Sequence, residues 1–302
     1  MTKNLPTAMN AILITGPTAS GKSALALDLA RRHEGVVINA DSMQVYDTLR
    51  ILTARPSRAD MDGVAHFLYG HVPASAPYST GSWLRDVADL LATLKAEARL
   101  PIFVGGTGLY FKALLGGLSE MPQIPTELRE EIRERLRQEG PVALHRELLD
   151  LDPQSATELD AQDGQRIARA LEVLKATGLS IRMLQSRKGT PLVDPDGSRK
   201  IIVLPDRDAL KRRINNRFAE MMAIGAIEEV QQLLALNLTS DMPVMKAIGV
   251  SEITALLDGS LTEREVIEKA SAATRQYAKR QMTWFRNQMD ERWERLDPSS
   301  GT

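Results

Sequence analysis

Ala11-Ile12-Leu13-Ile14-Thr15-Gly16-Pro17-Thr18-Ala19-Ser20-Gly21-Lys22-Ser23 is the stretch on which the reading of the whole chain turns. Residues 11–14 form a short apolar run that leads into glycine, the pattern of a buried strand. Gly16, Pro17, Thr18, Ala19, Ser20, Gly21, Lys22 and Ser23 follow the order G-x-x-x-x-G-K-S. Beyond them, Leu25 and Leu29 recur at helical spacing among small alanines. A glycine-rich loop between a strand and a helix is the context in which this motif binds phosphate. Its glycines let backbone N–H groups curl around an anion, and the helix N-terminus adds its dipole. Lys22 supplies a point charge and Ser23 a hydroxyl for Mg2+. The motif specifies a polyphosphate with Mg2+ and leaves open which polyphosphate.

Working outward, Val36-Val37-Ile38 is a second strand and runs into Asn39-Ala40-Asp41. After Ser79-Thr80, Trp83, Leu84, Val87, Leu90, Leu91 and Leu94 recur at three- and four-residue spacing, an amphipathic helix that must stop before Pro101. Pro101-Ile102-Phe103-Val104 is a further strand, closed by Gly105-Gly106. Strands alternating with helices predict a P-loop-type parallel sheet flanked by helices, an α/β core. Over residues 122–188 the periodicity is helical, with helices at 127–138 and 165–177 and no convincing strand. Ile201-Ile202-Val203-Leu204 returns to the sheet. The expected organisation is a catalytic core of residues 1–121 and 199–302, carrying an inserted all-helical domain of residues 122–198. Thr262 and Glu265 form a capping box that opens a long helix toward Phe285.

Composition narrows the setting. There is no cysteine, which excludes disulfides, thiolate metal sites and a cysteine nucleophile. No segment approaches the roughly 20 apolar residues of a membrane helix, so a cytoplasmic protein without membrane attachment is expected. The net charge of −1 gives no support to a nucleic-acid partner, so any such support must be local. The four histidines show no ligand spacing.

Two features weigh against an NTPase. Such enzymes hold Mg2+ with an aspartate at the end of a neighbouring strand, and the strand at residues 101–104 ends in Gly105-Gly106-Thr107-Gly108 instead. Asp41 does end a strand, and Ser42-Met43-Gln44-Val45-Tyr46 follows it. Ligands of parallel sheets bind beyond the carboxyl ends of the strands, so Asp41, Ser42 and Gln44 face the phosphate loop's crevice. An aspartate there suits a general base, a helix cap or an outer ligand of Mg2+.

These segments together resemble one family, the tRNA dimethylallyltransferases. The resemblance rests on the phosphate loop, on residues 41–46 and 105–110, on Gln165-Arg166-Ile167-Ala168-Arg169, on residues 213–217, and on residues 274–286, in that order. It implies transfer of the dimethylallyl group of dimethylallyl diphosphate to the exocyclic N6 amine of the adenosine 3′ of the anticodon. The tRNAs concerned read codons beginning with U, and diphosphate is released. It also implies that residues 16–23 and Arg217 bind the donor, with Mg2+ at Ser23, and that Asp41 is the base with Thr107 beside it in catalysis. Asp41, Ser42, Met43, Gln44, Thr107, Arg129 and residues 165–169 would contact the anticodon stem-loop of tRNA, Arg129 being matched by spacing. The protein is expected to act as a monomer. Arg55 stands where the family often has lysine, and Val250 where an aromatic is common.

Local charge admits two readings. Arg166, Arg169, Lys175, Arg182, Arg187 and Lys188, opposed by Glu172, would grip a phosphate backbone or form a solvated helix face. Arg129, Arg133, Arg135 and Arg137 interleave with glutamates, which favours the solvated face. Lys279, Arg280 and Arg286 beside Trp284 and Phe285 suit the lining of a channel, and the two aromatics suit the core. Tyr46 and Tyr110 suit packing on a prenyl chain or on the sheet. Three rivals remain. A small-molecule or nucleotide kinase accounts for residues 16–23 and 105–108 but not for residues 165–169 or 274–286. A prenyltransferase acting on free adenine nucleotides leaves the helical insertion without a task. A non-catalytic RNA-binding protein has no use for an intact Lys22, Ser23 and Asp41.

Overall fold

Ile12–Thr15 (β1) runs into the phosphate loop, and Lys22–Arg32 (α1) leads back out of it. The computed structural model describes residues 10–119, 121–187 and 189–298. Val36–Asn39 (β2) follows, then the short helix Arg58–Met61 (α2) and the two-residue strand His66–Phe67 (β3). Thr80–Ala96 (α3), capped by Ser79 accepting from the Ser82 amide, returns the chain to Pro101–Gly105 (β4). Gly108–Gly116 (α4) begins immediately after the glycine loop. The strands form one parallel sheet in the order β3-β2-β4-β1, extended by Arg199–Val203 (β5) and Glu294–Leu296 (β6).

The sheet is buried on both faces, and alternation along each strand divides its residues between two cores. Ile12, Ile14, Val37, Ile102, Val104, Ile201 and Val203 pack with Ala26, Leu29 and Ala30 of α1. Leu13, Val36, Ile38, Phe103 and Ile202 point the other way, toward Trp83, Val87, Leu91 and Leu94 of α3 and a larger helical layer. That layer comes mostly from the chain's last third: Arg207–Ala223 (helix a), Ala226–Leu234 (helix b), Val250–Leu257 (helix c) and the long Glu263–Gln288 (helix d). The Thr262–Glu265 capping box is present at the start of helix d.

The chain divides into two compact units, one of residues up to Leu115 and from Pro191, the other Gly116–Thr190. Among the described residues of the smaller unit the regular structure is helical: Thr126–Glu139, Pro141–Leu151, Pro153–Thr157, Gly164–Thr177 and Ile181–Gln185. Its core gathers Ile132, Leu144, Leu148, Ala156, Ile167 and Leu171.

Two strands escaped the sequence reading for physical reasons. His66–Phe67 is two residues long, and Glu294–Leu296 is an edge strand with charged side chains, its Glu294 paired with Arg199 at 2.8 Å. Tyr46 and Tyr110 are both buried, and Tyr110 stacks on Trp83 with ring centroids 4.1 Å apart, so these two rings belong to the core. Phe285 is also buried.

Candidate active site

The phosphate loop is shaped by what cannot fit in it. A Cβ on Gly16 would stand 2.5 Å from the Val203 carbonyl oxygen. Ala19 (φ 62°) and Gly21 (φ 92°) take left-handed conformations, which turn successive backbone N–H groups into a concave anion nest. Gly21 caps α1 without a side-chain hydrogen bond, so the helix's first turn opens toward the cleft. Ser20 is fully buried, and its hydroxyl has no hydrogen-bond partner among the described residues. Lys22 donates to the Pro17 carbonyl at 3.2 Å. Burial is the main cause pushing its ammonium down to about 8. Asp41 works against that shift and Arg217 adds to it.

Asp41 sits at the carboxyl end of β2, held by Asn39, which is itself fully buried. The Asn39 side chain accepts from the Asp41 amide at 2.9 Å and donates to the Asp41 and Leu68 carbonyls at 2.9 and 3.0 Å. One Asp41 oxygen, Oδ1, accepts from the Met43 amide at 3.0 Å. Thr107 accepts from the Ser42 amide at 2.9 Å and donates to the Ser42 hydroxyl at 3.2 Å. Gln44 donates to the Thr53 and Ala54 carbonyls at 2.8 and 3.2 Å.

The glycines after β4 are explained by close approach. A Cβ on Gly105 would collide with the Ala40 carbonyl, one on Gly106 with the Gln281 amide, and one on Gly108 with the Trp284 ring. Helix d therefore lies directly on this loop. Gln281 accepts from the Thr18 amide at 3.0 Å and donates to the Gly106 carbonyl at 2.9 Å.

Two cavities adjoin here. A polar one of about 670 Å³ is lined by residues 18–24 with Asp41, Gln44, Arg213 and Arg217. A second, of about 320 Å³, is lined by Met43, Leu52, Ile214, Phe218, Met221 and Tyr277, with Lys246 and Arg280 among its polar members. Thr18, Ala19, Asp41, Thr53, Ala54 and Arg217 line both. Burial, more than any other influence, lowers the Arg217 guanidinium from its ordinary value, while Glu220 and Asp41 oppose it. Burial also raises the Tyr277 hydroxyl, and Asp41 raises it further. An anion held at the loop would thus lie beside a carboxylate, two cations and an apolar compartment.

The structure brings Thr18, Ala19, Ser20, Gly21, Lys22, Ser23, Asp41, Gln44 and Arg217 to one cavity, and Ser42 and Met43 to the adjoining one. Gly16 and Pro17 shape the loop from behind, and Thr107 reaches the site through Ser42. Arg129, Gln165, Arg166, Ile167, Ala168 and Arg169 belong to the smaller unit. There Ile167 and Ala168 are buried in its core, which leaves Gln165, Arg166 and Arg169 as the accessible side chains of that segment. Its basic stretch is closely matched by acids: Arg166 pairs with Asp163 (3.4 Å), Arg169 with buried Glu172 (3.1 Å), Lys175 with Glu147 (2.7 Å) and Arg182 with Glu158 (2.7 Å). Glu172 is therefore not the only opposing acid. Lys188 lies outside the described residues. Sequence reasoning assigned no role to Asn39, Gln281 or Tyr277. The last two fall within residues 274–286, but nothing in the local pattern says which of these residues turn inward.

For a divalent cation, the oxygen donors suit a hard ion shared with a bound diphosphate. Ser23 lies in the first turn of α1 and lines the polar cavity, and Asp41 lines the same space. Among the described residues no group of three or more His, Cys, Asp or Glu side chains forms a metal cage, so phosphate oxygens and water would complete such a shell. No helix of the described residues is long and apolar enough to cross a membrane.

Comparison with known proteins gives one consistent answer. The family model "IPP transferase" matches residues 44–288, and "Isopentenyl transferase" matches residues 9–69. A protein of Rhizobium etli named tRNA dimethylallyltransferase is 67% identical, covering 98% of this chain and 100% of the relative. One of Rhizobium johnstonii with the same name is 66% identical over 97% of this chain and 99% of the relative. Among solved structures, the tRNA isopentenylpyrophosphate transferase of Bacillus halodurans aligns with a TM-score of 0.68 at 34% identity, over 95% of this chain and 89% of that one. A eukaryotic dimethylallyltransferase acting on tRNA aligns with a TM-score of 0.77 at 27% identity, over 92% and 70%.

Proposed function

The chain belongs to the tRNA dimethylallyltransferase (IPP transferase) family, and from that membership we propose how its site works. It transfers the dimethylallyl group of dimethylallyl diphosphate to N6 of the adenosine 3′ of the anticodon, in tRNAs reading codons beginning with U, and releases diphosphate. The observation that carries this reading is the junction of the two cavities: a phosphate-binding compartment and an apolar one share Asp41 and Arg217. A prenyl diphosphate needs a cradle for its phosphates and an apolar surface for its five-carbon chain, and this junction offers both.

The diphosphate is received by the loop amides, Lys22 and Arg217, and Ser23 would hold Mg2+ beside it. The bound ion's contribution is to neutralise charge on the diphosphate. The five-carbon chain extends past Met43, Leu52, Ile214, Phe218 and Met221. The target adenine leaves its loop stack, at a cost of a few kcal/mol, and presents N6 at Asp41. A bond forms between N6 and C1 of the prenyl group as the C1–O bond to diphosphate breaks, with the electron pair leaving on the diphosphate. The N6 proton passes to Asp41, whose second carboxylate oxygen is not the one bound by the Met43 amide. A positioned base of this kind contributes about 10²–10⁴-fold. Lys22 leaves its Pro17 contact to meet the departing charge.

The test is transfer of radiolabel from dimethylallyl diphosphate to unmodified tRNA, with wild type beside Asp41→Asn. Label in tRNA with wild type, and a loss of at least about 100-fold in the variant with donor binding kept, supports both activity and base. Label only in free adenine nucleotide moves the acceptor to a small molecule. No transfer to either acceptor ends the prenyltransferase reading.

A further inference from the structure

Helix d delivers one polar side chain to the space between the phosphate loop and the loop after β4. Gln281 is 6% exposed, and both ends of its amide are bonded to backbone that is far away in sequence. Its orientation is fixed by its partners, because the Thr18 N–H can only donate and the Gly106 carbonyl can only accept. Gly106 is glycine because a Cβ there would collide with the Gln281 nitrogen, and that same Cβ position lies 3.5 Å from Asp41 Oδ2. One turn further on, Trp284 covers Gly108 in the same manner. The Thr18 amide is thereby spent on Gln281, as the Ser20 amide is on the Pro17 carbonyl at 3.2 Å, so anion capture falls to the other amides of the loop.

We propose that Gln281 is a positioning residue that clamps the phosphate loop to the glycine loop after β4 and so sets the donor's C1 at attack distance from the acceptor amine beside Asp41. The clamp holds two surfaces that the reaction must keep in register. The phosphate loop fixes the leaving diphosphate. The glycine loop fixes the Asp41–Ser42 segment, through the Ala40 carbonyl against Gly105 and through Thr107 on the Ser42 amide. Gln281 does not line the polar cavity, and its hydrogen bonds go to Thr18 and Gly106, so it acts through the two loops. Misplacement of reacting groups by about 1 Å costs on the order of 100-fold in rate. The clamp's loss should therefore fall on the chemical step and spare diphosphate capture, which rests on Lys22, Arg217 and the remaining loop amides.

The inference rests on the prenyl-transfer reading, and one of its readouts is independent of activity. Two full-length variants are compared with wild type. Gln281→Met keeps the volume and removes both hydrogen bonds, while Gln281→Glu keeps an acceptor for Thr18 and loses the donor to Gly106. Hydrogen exchange at the Thr18 amide, without substrate, is expected to quicken roughly tenfold in Gln281→Met and little in Gln281→Glu. Affinity for inorganic diphosphate should stay within about threefold in both, while kcat at saturating donor and tRNA falls by roughly 30- to 100-fold. Unchanged Thr18 exchange in Gln281→Met overturns the clamp. So does an unchanged kcat, or a loss of kcat and diphosphate affinity in step with a lowered melting temperature. If wild type itself transfers no label, the prenyl-transfer reading fails, and Thr18 exchange still decides whether the clamp exists.

Discussion

Glu229 lies outside both cavities, yet its carboxylate organises one of their walls. It accepts from the Arg50 amide (2.9 Å), the Ile51 amide (2.7 and 2.8 Å) and the Leu52 amide (3.2 Å). The turn it holds continues into Leu52, Thr53 and Ala54, which line the apolar cavity, and the Thr53 and Ala54 carbonyls in turn hold Gln44. Glu229→Ala leaves these amides without their acceptor. Water can replace it at exposed Arg50, but Ile51 is 8% exposed. Hydrogen bonds to a charged group contribute about 1.5–3 kcal/mol each, and with partial rescue by water the loss should total about 2–3 kcal/mol. At roughly 2–4 °C per kcal/mol that lowers the melting temperature by roughly 4–12 °C. Because the disordered turn holds Gln44 and forms the wall along the prenyl chain, KM should rise several-fold for both tRNA and dimethylallyl diphosphate. Glu229→Gln, which keeps one acceptor oxygen, should lose about half as much stability. Thermal melts and steady-state kinetics with each substrate varied check this. A melt for Glu229→Ala within about 1 °C of wild type, with KM for tRNA unmoved, would refute the reasoning.

The lowered Lys22 ammonium sets a pH window. Donor capture uses the charged form, so KM for the donor should be flat well below about 8 and rise as pH climbs through it. The stability sign is opposite. The folded value lies below the unfolded one, so the unfolded chain binds more protons between about 8 and the ordinary 10.5, and Lys22 makes the unliganded protein more stable as pH rises across that window. Donor titrations and denaturant melts from pH 7 to about pH 10 check both, with Lys22→Met as the pH-independent reference. Trp83→Phe removes the 2.9 Å donor to the buried Asn39 carbonyl, and it should cost about 1–3 kcal/mol by chemical denaturation. Gly108→Ala forces a methyl against the Trp284 ring and should cost about 1–3 kcal/mol, with diphosphate affinity kept.

The fold was largely legible because its deciding signals are local. The apolar run before Gly16, the loop itself and the alanine-rich helix after it are contiguous, and uninterrupted burial marks residues 36–39 and 101–105 as doubly covered strands. What stayed hidden is long-range. Gln281 meets a residue 263 positions away and Glu229 a turn 177–179 positions away, and neither a lone glutamine nor a lone glutamate on a helix announces such a partner. Within the site, residues 16–23 and Asp41 could be named from the chain because spacing alone places them at strand ends. The apolar compartment could not, since Met43, Leu52, Ile214, Phe218 and Tyr277 come from segments whose meeting depends on how helices a and d pack. The acids that oppose the basic stretch were missed for the same reason: Glu147 reaches Lys175 from a neighbouring helix.

Gly105 shows why this phosphate loop does not serve an NTPase. β4 is the strand beside β1, and at its end a phosphoryl-transfer enzyme of this class would place the aspartate that orders its Mg2+. Here the position must be glycine, because any Cβ collides with the Ala40 carbonyl. The carboxylate has instead moved one strand over, to Asp41 at the end of β2, where it also borders an apolar cavity. The two features are linked: the close approach of residue 105 to residue 40 is what brings Asp41 beside Gly106 and the phosphate loop. Gly105→Asp should therefore not restore ATP hydrolysis. It should push residues 40–41 away from β4, lower the melting temperature by several degrees through overpacking of about 1–3 kcal/mol or more, and abolish prenyl transfer. A variant that melted like wild type and hydrolysed ATP would mean that the approach is incidental and that the site is a kinase site lacking one residue.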